Sequence, residues 1–240
     1  MDEPGGARAV AAGGHGPGQG HGQSHGQGHG EAAGEARMRR QPRQQRSRTR
    51  VRHILEAADA ILSAEGFEAL TVRRIAQAAG VPVGSIYQFF PDKAAVVDAL
   101  AGTYIGAFDA QIEQLVASSQ AAHWPDPVGT MIDAFAGLYR ANPGYVALWS
   151  GRHVSPELAR ADEANNAAIA DGVRRILVRQ ADLPDGEALA AASRIAVVVA
   201  DALLQYAFRE GPAGDALVLE ELKGLLRLYL RRVTERLAPG

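Results

Sequence analysis

"LTVRRIAQAAGVPVGSIYQFFPDKAAVVDAL", residues 70–100, holds two short apolar-periodic segments of about eight residues around Gly80. Ala76 lies four residues before this glycine and Ile86 six after it. A tight two-helix corner needs that arrangement. A small residue at 76 lets the second helix cross close by, and glycine accepts the positive φ of the turn. Ile75, Ala79, Val81 and Ile86 then fill the wedge. The spacing is that of a helix-turn-helix, whose second helix enters a DNA major groove, although an ordinary αα-hairpin with a glycine corner shares it.

The charges favour the first alternative. Arg73 and Arg74 fall in the first turn of their helix, where cations oppose the helix dipole, and Arg74 stands where a capping box wants Glu. A nearby phosphate backbone removes that conflict. Lys93 falls in the first turn of the following helix, and Ser85 and Tyr87 add hydroxyls to the outer face of the second.

Upstream, "RMRRQPRQQRSRTRVR" (37–52) has eight arginines and no acid, whereas the rest of the chain has seventeen basic residues against twenty-seven acidic. Overall charge therefore says little about binding and its distribution says more. Residues 1–36 contain twelve glycines and no Leu, Ile, Phe, Tyr or Trp. They cannot bury enough apolar surface to offset the entropy of ordering, so a disordered tail is expected. His15, His21, His25 and His29 within it suggest metal binding as the alternative role.

From about residue 49 the pattern is helical throughout. Ile54, Leu55, Ala58, Ile61 and Leu62 form an amphipathic stripe ending at Gly66. Thr71 caps a second helix. Pro82 starts a third, running to Phe90. Further helices are expected over 92–118, 127–141, 145–150, 155–180, 187–210 and 214–236. The fold class is all-α with about nine helices. The division is a tail (1–36), a basic arm (37–48), a helix-turn-helix domain (49–98) and a C-terminal helical domain (99–240).

The stretch "ILEAADAILSAEGFEALTVRRIAQAAGVPVGSIYQFFPDKAAVVDAL" (54–100) resembles, without a gap, the DNA-binding domain of the TetR family of transcriptional repressors. The likeness rests on helix 1, Gly66-Phe67, Thr71, the Ala-Gly-Val turn, the spacing from Tyr87 to Phe90, and Lys93. It implies a homodimer with three N-terminal helices for DNA and a C-terminal domain for a ligand and dimerisation. By position, Thr71, Tyr87 and Lys93 match phosphate-contacting residues. Arg73 matches one that reaches a base and suits guanine. Val83, Gly84 and Gln88 match positions facing base edges. Phe89 departs from the family's frequent His or Tyr, so either it gives up a polar bond to phosphate or the ring packs inward. Arg50 and Arg52 fall at the start of helix 1, which crosses the backbone. The earlier arginines resemble flexible arms that follow phosphates. Deleting residues 1–46 is expected to weaken operator binding and its salt dependence.

In the C-terminal domain, Tyr104, Phe108, Met131, Phe135, Tyr139, Tyr145 and Trp149 are either plain core or the lining of an apolar cavity. The family resemblance favours the cavity. Few ionisable groups interrupt these faces, which suits an uncharged lipophilic effector. Asp201 and Gln205 interrupt the run "IAVVVADALLQYAF" (195–208) and are candidates for orienting it. That run and the stripe Val218, Leu219, Leu222, Leu225, Leu226, Tyr229 and Val233 suggest a four-helix dimer interface, with Ala196, Ala200 and Ala207 allowing close approach. Absence of cysteine excludes disulfides and thiolate metal sites. No apolar run approaches the roughly 20 residues of a membrane helix, and no signal peptide is evident, so a cytoplasmic location is expected. There is no HExxH, GxSxG or phosphate loop, and no cofactor, metal site or enzymatic activity is expected. The reading is a DNA-binding regulator, a repressor released from palindromic DNA by its effector; the alternative is a metal-responsive protein using the His-rich tail.

Overall fold

A computed structural model describes residues 29–150 and 156–237, with side chains from residue 45 onward apart from those of 150 and 157. Among the described residues there are nine α-helices, one 3-10 turn and no strand: α1 (His29–Glu65), the 3-10 turn (Phe67–Ala69), α2 (Val72–Ala78), α3 (Val83–Tyr87), α4 (Lys93–Ala121), α5 (Pro127–Ala141), α6 (Gly144–Ser150), α7 (Pro156–Ala181), α8 (Glu187–Ala207) and α9 (Ala216–Leu237). Residues 1–46 and 47–240 fall into separate units.

The start of α1 differs from expectation. Helical backbone begins at His29, not near residue 49, and takes in part of the expected tail and the whole arm 37–48. Those added turns are rich in Ala, Arg, Gln and Glu, which favour helix intrinsically. They carry no sustained apolar stripe, so periodicity could not reveal them. Residues 1–28, with His15, His21 and His25, lie outside the described residues, as do the side chain of His29 and the cap expected at Ser155.

From residue 47 onward, side-chain and backbone caps mark the helix boundaries. Gly66 closes α1 at φ +81°. The Thr71 hydroxyl accepts from Arg74 N at 3.3 Å and opens α2. Asp92 and Asp126 cap α4 and α5, accepting from Ala95 N at 2.9 Å and Gly129 N at 3.1 Å. Each cap satisfies an otherwise orphaned helical N–H. Pro82, expected inside α3, is instead its N-cap, at φ −59° and ψ 142°.

One continuous core joins the N-terminal helices to the C-terminal bundle, from Ile54, Leu62 and Ile86 through Tyr104 and Phe108 to Leu222 and Val233. Helix α4 runs between them, packing on α5, α6 and α7, while α8 packs on α7 and α9. A buried glutamine fastens the far end of α4. Gln180 on α7 donates to Ser119 O (2.8 Å) and Ala122 O (2.7 Å) and accepts from Trp124 N (2.7 Å). It thereby pairs backbone groups that would otherwise be buried alone.

Candidate nucleic-acid interface and effector cavity

The corner between α2 and α3 is built from backbone bonds around Gly80, whose φ is +64°. Gly80 N donates to Gln77 O at 3.2 Å and Val81 N to Ala76 O at 3.0 Å. A side chain at φ +64° is strained, which is why glycine stands there. Ile75, Ala76 and Ile86 are buried and lock the two helices together. Phe89 packs against the same core, which decides between its two readings: the ring turns inward.

With Ile86 as its buried anchor, α3 turns the rest of its surface outward. Tyr87 is 54% exposed and Val83 40%. Gly84 and Gln88 are exposed and Ser85 is half-buried. Tyr87 is thus no core aromatic. At Gly84 an added Cβ meets no atom within 4 Å. Packing does not require a glycine here, and helix propensity disfavours it.

The cations divide into two groups. Arg73 is exposed and has no acidic partner among the described residues. Arg74 is ion-paired with Glu65 at the end of α1. This pairing raises the guanidinium pKa and holds the Glu65 carboxyl below its usual range. The dipole conflict expected of Arg74 is therefore relieved inside the protein, without a phosphate. Lys93 is also engaged: its Nζ donates to Phe67 O at 3.3 Å and lies 4.3 Å from the Phe67 ring centroid. It clamps the start of α4 to the 3-10 turn. Thr71 is exposed beyond its capping bond. Arg50 and Arg52 are exposed on α1, and Arg52 pairs with Glu56 at 3.5 Å.

The second site is an apolar cavity of about 60 Å³ in the C-terminal bundle, walled by α4 to α9. Six expected residues line it: Phe108, Met131, Phe135, Tyr139, Tyr145 and Asp201. Tyr145 stacks on Phe108 (4.6 Å between centroids) and meets Tyr139 edge-on (5.0 Å). The Tyr139 hydroxyl donates to Asp201 Oδ1 at 3.2 Å. Burial, reinforced by Tyr145 and by the Asp201 carboxylate, pushes the Tyr139 phenol well above its ordinary range.

Three expected residues do not line the cavity. Tyr104 turns to α1, where its hydroxyl donates to Asp59. Trp149 is buried and its indole N–H donates to Asp162 on α7. Gln205 donates to both carboxylate oxygens of Asp201 at 2.8 Å and supports the wall from behind. In each case a specific polar partner draws the side chain away, and residue type does not reveal such a partner. Sequence reasoning also missed Asn165 and Asn166 on α7, which do line the cavity. Two adjacent asparagines in a helix interior, where their side chains compete with the backbone, were the available signal.

The expected dimer face needs correction. Most of the α9 stripe is internal: Leu219, Leu222, Leu226 and Val233 are buried. Ala196 and Ala200 line the cavity, and Ala207 is buried. The outward apolar residues are Ile195, Val198 and Tyr206 on α8 and Leu217, Leu225 and Leu228 on α9.

Among the described residues no group of three or more His, Asp or Glu side chains is placed to hold a metal, and no helix is long and apolar enough to cross a membrane.

Comparison with known proteins matches residues 54–100 to the profile described as "Bacterial regulatory proteins, tetR family". Residues 122–233 match "Tetracyclin repressor-like, C-terminal domain". A solved TetR-family transcriptional regulator from Streptomyces coelicolor is 30% identical, covering 77% of this chain and 99% of that one, at a TM-score of 0.56. FadR from Bacillus subtilis, solved with stearoyl-CoA, is 18% identical over 76% of this chain and 96% of that one, with a TM-score of 0.58, and shares the fold. The HTH-type transcriptional repressor KstR of Mycobacterium tuberculosis is 36% identical over 67 residues, 28% of this chain. The chain spans only 30% of that relative's length and 33% of the Mycolicibacterium smegmatis KstR.

Proposed function

The chain belongs to the TetR family of transcriptional regulators, and from that premise we propose that it is a repressor released from a palindromic operator by a small, uncharged, lipophilic effector. The observation that carries the DNA half is the outer face of α3. Its Val83, Gly84, Tyr87 and Gln88 are exposed around a single buried anchor, Ile86, beside Arg73, which has no acidic partner among the described residues. Arg73 suits the O6 and N7 edge of guanine, Gln88 an adenine, and Val83 a thymine methyl. Thr71, Tyr87 and Lys93 meet phosphates, as do Ser85, Arg74, Arg50 and Arg52 around them. The arginines of 37–48 add affinity that does not depend on sequence.

The effector half rests on the cavity. Its aromatic and aliphatic walls suit an apolar molecule, and the Asp201 carboxylate disfavours an anion. At about 60 Å³ the cavity holds only a few water-sized spheres of about 10–15 Å³ each. An effector must therefore spread its walls. In this reading DNA fits the closed form, so a ligand that binds only the spread form shifts the population toward it and by linkage lowers affinity for DNA. Such a regulator works in the cytoplasm, beside its operator.

Dimerisation uses the outward residues of α8 and α9. Leu228 is 64% exposed, and Leu228→Glu is expected to turn a dimer into a monomer in sedimentation analysis. A monomeric wild-type chain refutes this face. Selection from a random duplex pool, followed by footprinting, tests the whole reading. An inverted repeat with half-sites about 34–36 Å apart, one helical turn, is the expected product. Failure to enrich any repeat refutes it.

A further inference from the structure

Asn165 is a buried polar group of the cavity wall. It is 3% exposed, and neither its side-chain oxygen nor its nitrogen has a hydrogen-bond partner among the described residues. The Tyr139 hydroxyl, by contrast, is committed to Asp201, and Asp201 also receives Gln205. Buried amides are paired in the great majority of proteins because an unpaired donor or acceptor forfeits its bonds to water. Asn165 also lies within α7, where asparagine favours non-helical conformations. It is therefore unfavourable to the fold on both counts.

Taking the cavity as the effector site, as proposed above, we infer that Asn165 recognises the effector, and that the effector is an uncharged, largely apolar molecule bearing one group that both donates and accepts a hydrogen bond, of the amide or alcohol type. The two ends of the side chain set this requirement. The Asn165 oxygen accepts only, so the ligand must donate to it. The Asn165 nitrogen donates only, so the ligand must also accept. A ketone or ester offers only the acceptor. A carboxylate offers only acceptors and brings a negative charge toward Asp201. An amide edge satisfies both ends at once.

The probes are six-carbon compounds with the same tail: hexanamide, 1-hexanol, 2-hexanone and hexanoate. Each is titrated into the full chain, wild type and Asn165→Leu, both also carrying Trp124→Phe so that the fluorescence followed is that of Trp149, which stacks on the cavity residue Tyr145 at 4.9 Å. The melting temperature is recorded in parallel. Wild type is expected to bind hexanamide and 1-hexanol about tenfold more tightly than 2-hexanone or hexanoate, because only they also donate to the Asn165 oxygen, which the other two leave unpaired. Asn165→Leu is expected to lose that preference and to bind hexanamide about tenfold more weakly. Without any probe its melting temperature should equal or exceed that of wild type, because an unpaired amide has been removed.

Equal wild-type affinity for all neutral probes overturns the role of Asn165 and leaves the cavity as effector site intact. So does an Asn165→Leu variant that keeps the preference, since another group then sets it, or one that melts several degrees lower, since the amide then serves the fold. Binding of no neutral probe overturns both the role and the cavity reading. Asn165→Ala, with the same expected loss of preference, replaces the leucine variant if that variant does not fold. DNA binding is assayed separately by the operator selection above.

Discussion

The hydroxyl of Tyr104, on α4, donates to the carboxylate of Asp59, on α1, and Gly144 at the first residue of α6 packs directly upon that pair. The contact joins the helices that carry the DNA-facing surface to the bundle that holds the cavity. Tyr145, next to Gly144, is itself a wall of the cavity. A molecule that moves Tyr145 therefore acts one residue from the joint.

Tyr104→Phe should destabilise the chain. A hydrogen bond to a charged group contributes about 1.5–3 kcal/mol. At about 2–4 °C per kcal/mol for a chain of this size, the melting temperature should fall by roughly 3–12 °C. Gly144→Ala should do comparable harm by a different route, since the added Cβ collides with Asp59 and the Tyr104 hydroxyl. Overpacking of this kind typically loses about 1–3 kcal/mol. Calorimetry checks both, and an unchanged melting temperature in either variant rules out the joint as a structural element.

Gly84→Ala should separate folding from binding. The site is open, so alanine gains about 0.5–1 kcal/mol from helix propensity. The melting temperature should rise by roughly 1–4 °C. The same methyl intrudes where α3 meets DNA, so affinity for a selected operator should fall. A variant that is more stable and binds as tightly shows that Gly84 is not at the interface.

Arg73→Gln and Arg74→Gln should differ. Arg73 has no acidic partner among the described residues, so its variant should leave the melting temperature alone, weaken operator binding and relax base preference at one position of each half-site. Arg74→Gln breaks the Glu65 pair, and its effect on sequence preference should be small. Because Arg74 also meets a phosphate in the proposed complex, removing its charge should lower the magnitude of the slope of log K against log salt by about 0.9. Identical base preferences in the Arg73 variant and wild type refute the assignment of Arg73.

Alkaline pH should destabilise the chain through two buried phenols. Burial and Asp59 hold the Tyr104 phenol far above its ordinary value, and burial holds Tyr139 likewise. A group whose folded pKa is raised contributes stability that is complete below the unfolded pKa, about 10 for tyrosine, and lost above it. Urea midpoints should be flat with respect to these groups up to about pH 9 and fall beyond about pH 10. Tyr139→Phe should show a shallower fall than wild type. Equal slopes would mean that Tyr139 ionises freely in the folded chain.

Much of the architecture was legible from periodicity and punctuation. Glycine at 66 and 80, the cap at Thr71, and the apolar stripe of Ile54 to Leu62 are local signals, and each sits where its local chemistry requires. The outward face of α3 was legible for the same reason, because a two-helix corner that buries Ile75 and Ile86 must expose what lies opposite. The partners of side chains were not legible. That Arg74 meets Glu65, Tyr104 meets Asp59, Trp149 meets Asp162 and the Asn165 amide finds no hydrogen-bond partner among the described residues depends on which helices cross, and where. Periodicity tells which face of a helix is buried; only packing decides what it is buried against, and so which polar groups are satisfied and which remain for a ligand.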